Sequence, residues 1–464
     1  MANKSAAVKR AIGADETDAA DDVAGPKHRY KPSASLEVAA TTPPWLRIPV
    51  MSPLRRARRT RWWPYLAVLG PGIVAAAAGN DAGGIATYAV TGATYGYKLL
   101  WTMLIVTICL VMVQEMCARM GAVTGKGLAD LIREQFGAGW TVMAILLLLI
   151  ANAGITISEF VGIAAAAELF NIPRWLAVPP IALLIWWLVV KGSYKAVERI
   201  FILLSLVFFT YVFATFLARP DWGQVGKSFF RIDTNLDKGA LAAIVALIGT
   251  TITPYMQVFV QSSVVEKGVT PRNYKYTRFD VVFGSILSDT ISVFIIVATA
   301  ATLYVTRIPV DSAASAAKAL EPVAGPSATV LFAIGLFGAS MLAAGVLPLA
   351  TAYSVTEALG FEKGVSLSFK EAPVFIGLFT ALLVLGAVVA IIPGLPLFAI
   401  LIFVQILNGS LLPILLVFVV RLASNKEIMG QYRIGPVYRV LAWMAVAVIT
   451  VAVVLMLATT FFFH

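Results

Sequence analysis

Two short stretches decide the fold of this chain: Gly79-Asn80-Asp81-Ala82-Gly83-Gly84 and Gly249-Thr250-Thr251-Ile252-Thr253-Pro254. Each interrupts an apolar run long enough to cross a bilayer, at about residues 66–96 and 240–265. Glycine weakens a helix, and proline removes a backbone donor and clashes with the preceding turn. Both runs are therefore predicted to break near the middle of the membrane, where freed backbone groups must line a cavity or bind a ligand.

The composition places these breaks in a membrane protein. Of the 464 residues, 59% are hydrophobic and 13% are charged, whereas soluble domains carry roughly 25% charged residues. This excludes an ordinary soluble enzyme and predicts an all-α polytopic membrane protein. Eleven spans are expected, with ends uncertain by several residues, at about 66–96, 100–121, 141–169, 176–190, 200–218, 240–265, 281–304, 327–351, 374–394, 396–420 and 440–463.

The two interrupted spans occupy corresponding positions, the first of each set of five. Paired broken helices in the two halves of a chain are typical of secondary transporters built from inverted repeats, with the binding site at the breaks. We therefore expect inverted repeats over about 62–220 and 238–422, an extra helix over about 437–463, and one transporter domain over 62–464. Residues 1–61 have no apolar period and are expected to form a disordered cytoplasmic tail.

The basic residues predict the orientation in the membrane. Of the 36 Lys and Arg residues, 12 precede residue 62, 16 fall in loops predicted to be cytoplasmic and eight in loops predicted to be outside. The positive-inside rule then places the N-terminus in the cytoplasm and the C-terminus outside. The net charge of +11 is explained by topology, so no nucleic-acid partner is expected. A monomer in a prokaryotic inner membrane is our working interpretation.

Candidate functional residues are few. Asp81 lies in the first break, where an ionised side chain is costly unless it binds a cation; the alternative is an N-cap of the following half-helix. Asp289 is either a second cation site or gate, or a partner of Arg278 or of a backbone donor. Glu115 and Arg119 are spaced for an ion pair within one helix. Enzyme activity is not expected, since no nucleophile motif such as Gly-x-Ser-x-Gly occurs.

Several motifs resemble the Nramp family of divalent-metal transporters. Asp81-Ala82-Gly83-Gly84 is similar to the family's Asp-Pro-Gly-Asn in the first helix. Further similar segments are Leu69-Gly70-Pro71-Gly72, Gln114 to Gly121 (QEMCARMG), Thr124-Gly125-Lys126, Leu128-Ala129, Glu198-Arg199, Leu331-Phe332-Ala333, Gln405 with Leu412-Pro413, and Met429-Gly430. The resemblance implies a LeuT-like fold with alternating access, which agrees with the inverted repeat inferred from the breaks.

The chain departs from the family at the ligands. Gly84 stands where the family has Asn, and Thr250 and Thr253 stand where the family has Ala and Met. Thioether ligands favour transition metals, whereas carboxylate, hydroxyl, carbonyl and water suit Mg²⁺, Ca²⁺ and Mn²⁺. Mg²⁺ also keeps several waters and takes one or two carboxylates. The pattern resembles the Nramp-related magnesium transporters and predicts transport of largely hydrated Mg²⁺, with Mn²⁺ also accepted.

The resemblance also bears on proton coupling. Proton-coupled members pair an Asp with a Glu three residues later in the third helix, and a His follows the proline of the sixth. Here these positions are Thr156, Glu159 and Tyr255, and the two histidines, His28 and His464, lie at the chain ends. We therefore expect uptake driven by the membrane potential without protons.

The predicted metal-site residues are Asp81, Thr253, Thr250, Gln405, Ala78, Gly79 and Gly84. Asp81 provides the charge, the threonines and backbone carbonyls provide oxygens, and Gln405 closes over the ion. The metal is a transported substrate, and no cofactor is expected. Two alternatives stay open: a proton-coupled Mn²⁺ carrier of the ordinary Nramp type, and a non-transporting membrane sensor on the same fold.

Overall fold

The computed structural model describes residues 80–190, 210–233, 236–361 and 370–461, in which every regular element is a helix. In the first half these are α1 (Ala82–Tyr95), α2 (Leu100–Thr124), α3 (Leu128–Phe136), α4 (Ala138–Glu168), α5 (Arg174–Val190), α6 (Thr210–Leu217) and α7 (Trp222–Ser228). The second half contains α8 (Lys238–Thr251), α9 (Pro254–Glu266), α10 (Tyr274–Thr299), α11 (Ala313–Ala317), α12 (Glu321–Ala324), α13 (Ala328–Leu359), α14 (Pro373–Ile391), α15 (Leu397–Ser424), α16 (Lys426–Met429) and α17 (Pro436–Phe461). A π-helical turn, Ala300–Tyr304, extends α10, and 3₁₀ turns cover Lys318–Leu320, Gly325–Ser327 and Gly430–Tyr432.

The predicted spans correspond to these helices. Eight helical segments in the described ranges are long and apolar enough to cross a membrane, and α5 is a shorter apolar helix of 17 residues. The remaining two spans are represented by α1 and α6, whose preceding halves lie outside the described residues, as does the predicted tail 1–61. Protein surrounds the interrupted segment Lys238–Val265: 89% of its apolar 18-residue stretch is buried inside the protein. The corresponding stretch of α17 is only 28% buried. A helix break is tolerated in such a protein-lined position.

The second break is described on both sides, whereas at the first the described residues show only where it ends, which is earlier than predicted. Asn80 and Asp81 are non-helical, and α1 begins at Ala82, so Gly83 and Gly84 belong to the helix rather than to the break. The reason is local: Asp81 caps the helix and satisfies the amide of Gly84. In the second break, α8 ends at Thr251 and α9 begins at Pro254. Proline suits this first helical position because its missing N–H has no intrahelical partner there.

Packing brings the breaks together in the interior. Helix α1 packs against α10, α15 and α8, and α8 packs extensively against α15. Helix α4 contacts α13, α14, α15 and α1. Because α1 and α8 share the partner α15, the start of α1 and the end of α8 meet on one side of that helix.

A buried ion cluster joins three helices at the end predicted to face the cytoplasm. Glu115 on α2 accepts hydrogen bonds from Arg119, from the Tyr274 hydroxyl at 2.7 Å and from the Tyr438 hydroxyl at 3.1 Å. Arg278 also approaches Glu115, at 3.5 Å. The predicted Glu115–Arg119 pair is therefore present. The alternative pairing of Asp289 with Arg278 is wrong, since Arg278 turns to the fully buried carboxylate of Glu115 instead.

Removal of this carboxylate is expected to destabilise the protein. Glu115 is only 2% exposed, so E115A leaves Arg119 without its buried counter-charge and should cost about 3 kcal/mol of stability. The hydroxyls of Tyr274 and Tyr438 lose one acceptor each and keep the backbone carbonyls of residue 115 and Met112. The matched control is E134A, which breaks the Lys126–Glu134 pair, whose side chains are 46% and 41% exposed. An exposed pair contributes at most about 1 kcal/mol. Thermal unfolding in detergent should show a clear drop for E115A and little change for E134A; equal shifts would contradict the prediction.

Candidate metal-ion site at the two helix breaks

Asp81 has two roles divided between its two oxygens. Its Oδ1 accepts a hydrogen bond from the amide of Gly84 at 2.6 Å, which makes Asp81 the N-cap of α1. Its Oδ2 is buried and has no hydrogen-bond partner among the described residues. The capping interpretation of Asp81 is thus correct for one oxygen, and the other oxygen remains available to a cation. A residue with both tasks holds its free oxygen in a defined position, since the cap fixes the side chain.

Glu159 on α4 borders the same helix start. Its Oε2 accepts a long hydrogen bond, 3.5 Å, from the amide of Ala82, so two carboxylates face the positive N-terminal end of α1. Its Oε1 is buried without a partner in the described part of the chain. Among the described residues neither carboxylate forms an ion pair with Lys or Arg, and two buried carboxylates of this kind form an environment that favours a cation.

The second break provides two hydroxyl groups. Thr250, in the last turn of α8, and Thr253, the N-cap of α9, are both fully buried. Within the described ranges neither Oγ1 atom has a hydrogen-bond partner. Thr253 therefore does not cap its helix through the side chain. The nearby Met256 thioether, in contrast, accepts a hydrogen bond from Gln114 at 3.7 Å.

Gln405 connects the two breaks. Its side-chain amide nitrogen lies so close to α1 that a β-carbon on Gly83 would overlap it. The backbone carbonyl of Gln405 lies against Gly249, the residue before Thr250. A β-carbon on Gly249 would overlap this carbonyl. The Gln405 Oε1 accepts a hydrogen bond from Asn408 at 3.3 Å, whereas its Nε2 has no partner in the described residues. Glycines at 83 and 249 are required here because both helices approach Gln405 closely.

The other predicted site residues have mixed positions. The Thr156 hydroxyl donates to the Asn152 carbonyl of its own helix at 2.8 Å, so it is occupied locally. Tyr255 is buried and its phenol lies in electrostatic range of Asp81 and Glu159. Gly84 contributes its amide as the cap donor. Ala78 and Gly79 lie outside the described residues.

Sequence reasoning missed several polar side chains that border the site. Asn80 is held between two hydroxyls of α10: it donates to Ser288 at 3.3 Å and accepts from Ser292 at 3.2 Å. Gln257 donates to the Thr253 carbonyl at 3.2 Å. The hydroxyl of Ser158 lies beside Gly83. Two of these residues could have been found from the sequence: Gln257 from its spacing of four from Thr253, and Asn80 from its position next to Asp81.

The chemistry of this site follows from its donor atoms. In the described residues no group of three or more His, Cys, Asp or Glu side chains could hold a metal ion directly. The available buried atoms are carboxylate and hydroxyl oxygens together with an amide. Such hard donors suit cations that prefer oxygen and keep part of their water shell.

Comparisons with known proteins identify relatives of this chain in sequence and in fold. The chain is 24% identical over 399 residues to the divalent metal cation transporter MntH of Deinococcus radiodurans, covering 83% of this chain and 88% of the relative. MntH of Bacillus subtilis is 24% identical over 413 residues, with 85% and 93% coverage. A crystal structure of the Eremococcus coleocola manganese transporter superimposes with a TM-score of 0.71 at 21% identity, over 88% of this chain and 90% of that one.

The fold is also similar to that of MhsT in complex with L-phenylalanine, with a TM-score of 0.58 at 16% identity, over 87% of this chain and 99% of that one. The predicted LeuT-like fold, with inverted repeats and two broken helices, is confirmed by these likenesses. The family of natural resistance-associated macrophage protein-like transporters matches residues 72–459, which is most of the sequence. This chain therefore belongs to the Nramp family.

Proposed function

We propose that this protein is a secondary transporter that imports divalent cations by alternating access, prefers Mg²⁺, accepts Mn²⁺ and works without proton coupling. One observation carries the proposal: apart from the amide nitrogen of Gln405, the buried atoms at the two breaks that have no hydrogen-bond partner among the described residues are oxygens. They are Asp81 Oδ2, Thr250 Oγ1 and Thr253 Oγ1, with Glu159 Oε1 beside them. An oxygen set of this kind favours Mg²⁺ and Mn²⁺ over softer transition metals.

The small number of charged ligands supports a hydrated ion. Mg²⁺ dehydrates reluctantly and is bound through one or two carboxylates and several waters rather than by an all-protein cage. The thioether of Met256 is engaged by Gln114, and Thr253 replaces the methionine that the family resemblance places at the break. The proposed Mg²⁺ site therefore needs no thioether ligand, whereas a site for soft transition metals would favour one.

The proposed absence of proton coupling rests on one residue of α4 and one residue of α9. Thr156 stands where the resemblance implies a carboxylate, and its hydroxyl is bonded to its own backbone. Tyr255 stands at the position of the family's histidine. The relay of titratable groups is thus interrupted at two positions, and Mg²⁺ would be driven by voltage alone.

A proton-coupled Mn²⁺ carrier is the second candidate. The observation that favours it is Glu159, whose Oε1 is buried and unpartnered among described residues next to Asp81. Relatives named as divalent metal cation transporters and a structural neighbour named as a manganese transporter point the same way. A sensor on the same fold is the third candidate and would bind ions without moving them.

We place the protein in a prokaryotic inner membrane as a monomer, with the N-terminus in the cytoplasm and the C-terminus outside. The asymmetric placement of Lys and Arg in the sequence supports this orientation. Single cysteines introduced at each terminus of the protein and labelled in whole cells with a membrane-impermeant reagent would test this orientation.

The test of function is ion flux into proteoliposomes that hold a Mg²⁺-sensitive dye and, in parallel vesicles, a pH dye. Under an inside-negative potential, Mg²⁺ entry at unchanged internal pH is the expected result. Entry of Mn²⁺ alone with acidification would replace the proposal by the proton-coupled carrier. Binding of either ion without any flux would replace it by the sensor.

A further inference from the structure

Asp289 is a third buried carboxylate that the proposed site has not used. It lies in the middle of α10 and is only 3% exposed. Its Oδ2 has no hydrogen-bond partner in the described parts of the chain. The five ion pairs of these parts involve other residues, and the predicted partner Arg278 is bound to Glu115. An unpaired carboxylate at this depth is costly unless a cation compensates it.

The neighbours of Asp289 connect it to the first break. Ser288 and Ser292, on the same turn of α10, hold the side chain of Asn80, which directly precedes Asp81. The α10 turn that carries Asp289 is therefore attached to the non-helical segment. This attachment is made by short polar side chains, so it keeps the carboxylate close to the backbone of the break.

Tyr88 connects Asp289 to both breaks. Its hydroxyl hydrogen-bonds with Thr251 at 3.0 Å, one residue after Thr250, and it lies in electrostatic range of both Asp289 and Asp81. The phenol thus stands among the two carboxylates and the end of α8. A polar group in this position can hold a water molecule between a hydrated ion and Asp289.

A purely structural hydrogen bond explains Asp289 less well. The hydroxyl of Thr107 faces its carboxyl group, but this hydroxyl donates its single proton to the Met103 carbonyl at 2.7 Å. Thr107 can therefore serve either the Met103 carbonyl or Asp289 with that one proton, but not both. The carboxylate keeps its capacity to accept from water or to face a cation.

We propose that Asp289 supplies a further negative charge to the cation site, in addition to those of Asp81 and Glu159, and faces the hydrated divalent ion through water. This inference rests on the proposed function, since it names a further binding residue of the same site. Asp81 and Glu159 each offer one oxygen that has no partner among the described residues. A third carboxylate that acts through water adds attraction for the ion without stripping it of its waters.

The test is the dissociation constant for Mg²⁺ of the full-length purified protein, measured by titration calorimetry alongside thermal unfolding in Mg²⁺-free buffer. D289N keeps the shape and removes the charge, and it should weaken Mg²⁺ binding about tenfold or more, since site affinity follows the number of charged ligands. D289E restores the charge and should recover most of the affinity. The matched control is S285A, one turn away on α10, whose hydroxyl contacts only its own helix backbone at Val281 as far as the described residues show.

Unchanged Mg²⁺ affinity in D289N, together with a lowered unfolding temperature, would overturn the proposal in favour of a structural role. If D289N does not fold, D289S removes the same charge with a smaller side chain. Its Mg²⁺ affinity and unfolding temperature are then interpreted in the same way. The wild-type protein separates this inference from the proposed function. If wild type binds Mg²⁺ and D289N binds it equally well, only the role of Asp289 fails; if wild type binds Mn²⁺ but not Mg²⁺, the proposed function itself fails.

Discussion

Asp81→Asn is expected to abolish Mg²⁺ uptake, with rates falling by about two orders of magnitude or more. Two unit charges about 4 Å apart attract each other by about 4 kcal/mol at an effective dielectric constant near 20, and about 1.4 kcal/mol corresponds to a factor of ten. Asparagine is as good an N-cap as aspartate, so the hydrogen bond to the Gly84 amide survives. The loss therefore reports the charge on the free oxygen rather than the integrity of α1.

The chain offers a matched control for this variant. Asp237 is the N-cap of α8 and accepts a hydrogen bond from the Ala240 amide at 2.7 Å, as Asp81 does for α1, but it is exposed. D237N should retain Mg²⁺ uptake close to that of the wild type in the same dye-loaded proteoliposomes. Uptake by D81N at the wild-type rate would show that Asp81 acts only as a helix cap and that the cation site lies elsewhere.

Mg²⁺ accumulation should follow the membrane potential and ignore a pH gradient. A divalent ion moved without protons gains about 4.6 kcal/mol per 100 mV, which corresponds to an equilibrium accumulation on the order of 10³-fold. Proteoliposomes with a potassium gradient and valinomycin set the voltage, and a Mg²⁺ dye reads the internal concentration. Stepping the potential from 0 to about −100 mV should therefore produce a very large rise in the final Mg²⁺ level.

The counter-experiment applies a pH gradient at zero potential. The final Mg²⁺ level should stay equal on both sides, because no proton enters with the ion. Accumulation driven by an acidic exterior would show that Glu159 still passes protons and that the interruption at Thr156 and Tyr255 is insufficient. The E159Q variant identifies that route, since it should then lose the pH dependence and keep the voltage dependence.

Much of the architecture could be predicted from single residues and short patterns. Apolar runs of membrane-spanning length predict helices because the backbone must satisfy its own hydrogen bonds in lipid. Gly79 to Gly84 and Gly249 to Pro254 predict the breaks because glycine and proline weaken a helix wherever they occur. The i, i+4 spacing of Glu115 and Arg119 predicts their ion pair for the same local reason. All of these signals act between neighbours in the chain.

The partners of the long-range side chains could not be predicted in this way. By sequence, Arg278 is a candidate partner of Asp289, which lies 11 positions further along α10, yet it approaches Glu115 on α2. The contact of Gln405 with Gly83 joins residues more than 300 positions apart. Such contacts depend on which helix faces which, and apolar helices carry little information about their neighbours in their sequence. The first break also ends earlier than predicted, because the cap formed by Asp81 restores helix from Ala82 onwards.

The sequence alone therefore determined that the chain crosses the membrane many times, that two helices break, and that oxygen-rich residue types stand at the breaks. Each of these properties depends on the local free energy of placing a residue in a helix or in lipid. Folding in three dimensions decided which oxygens have no partner among the described residues: one of Asp81, one of Glu159 and one of Asp289, with the hydroxyls of Thr250 and Thr253. Whether a buried polar atom is satisfied depends on every group around it, and those groups come from helices distant in the chain.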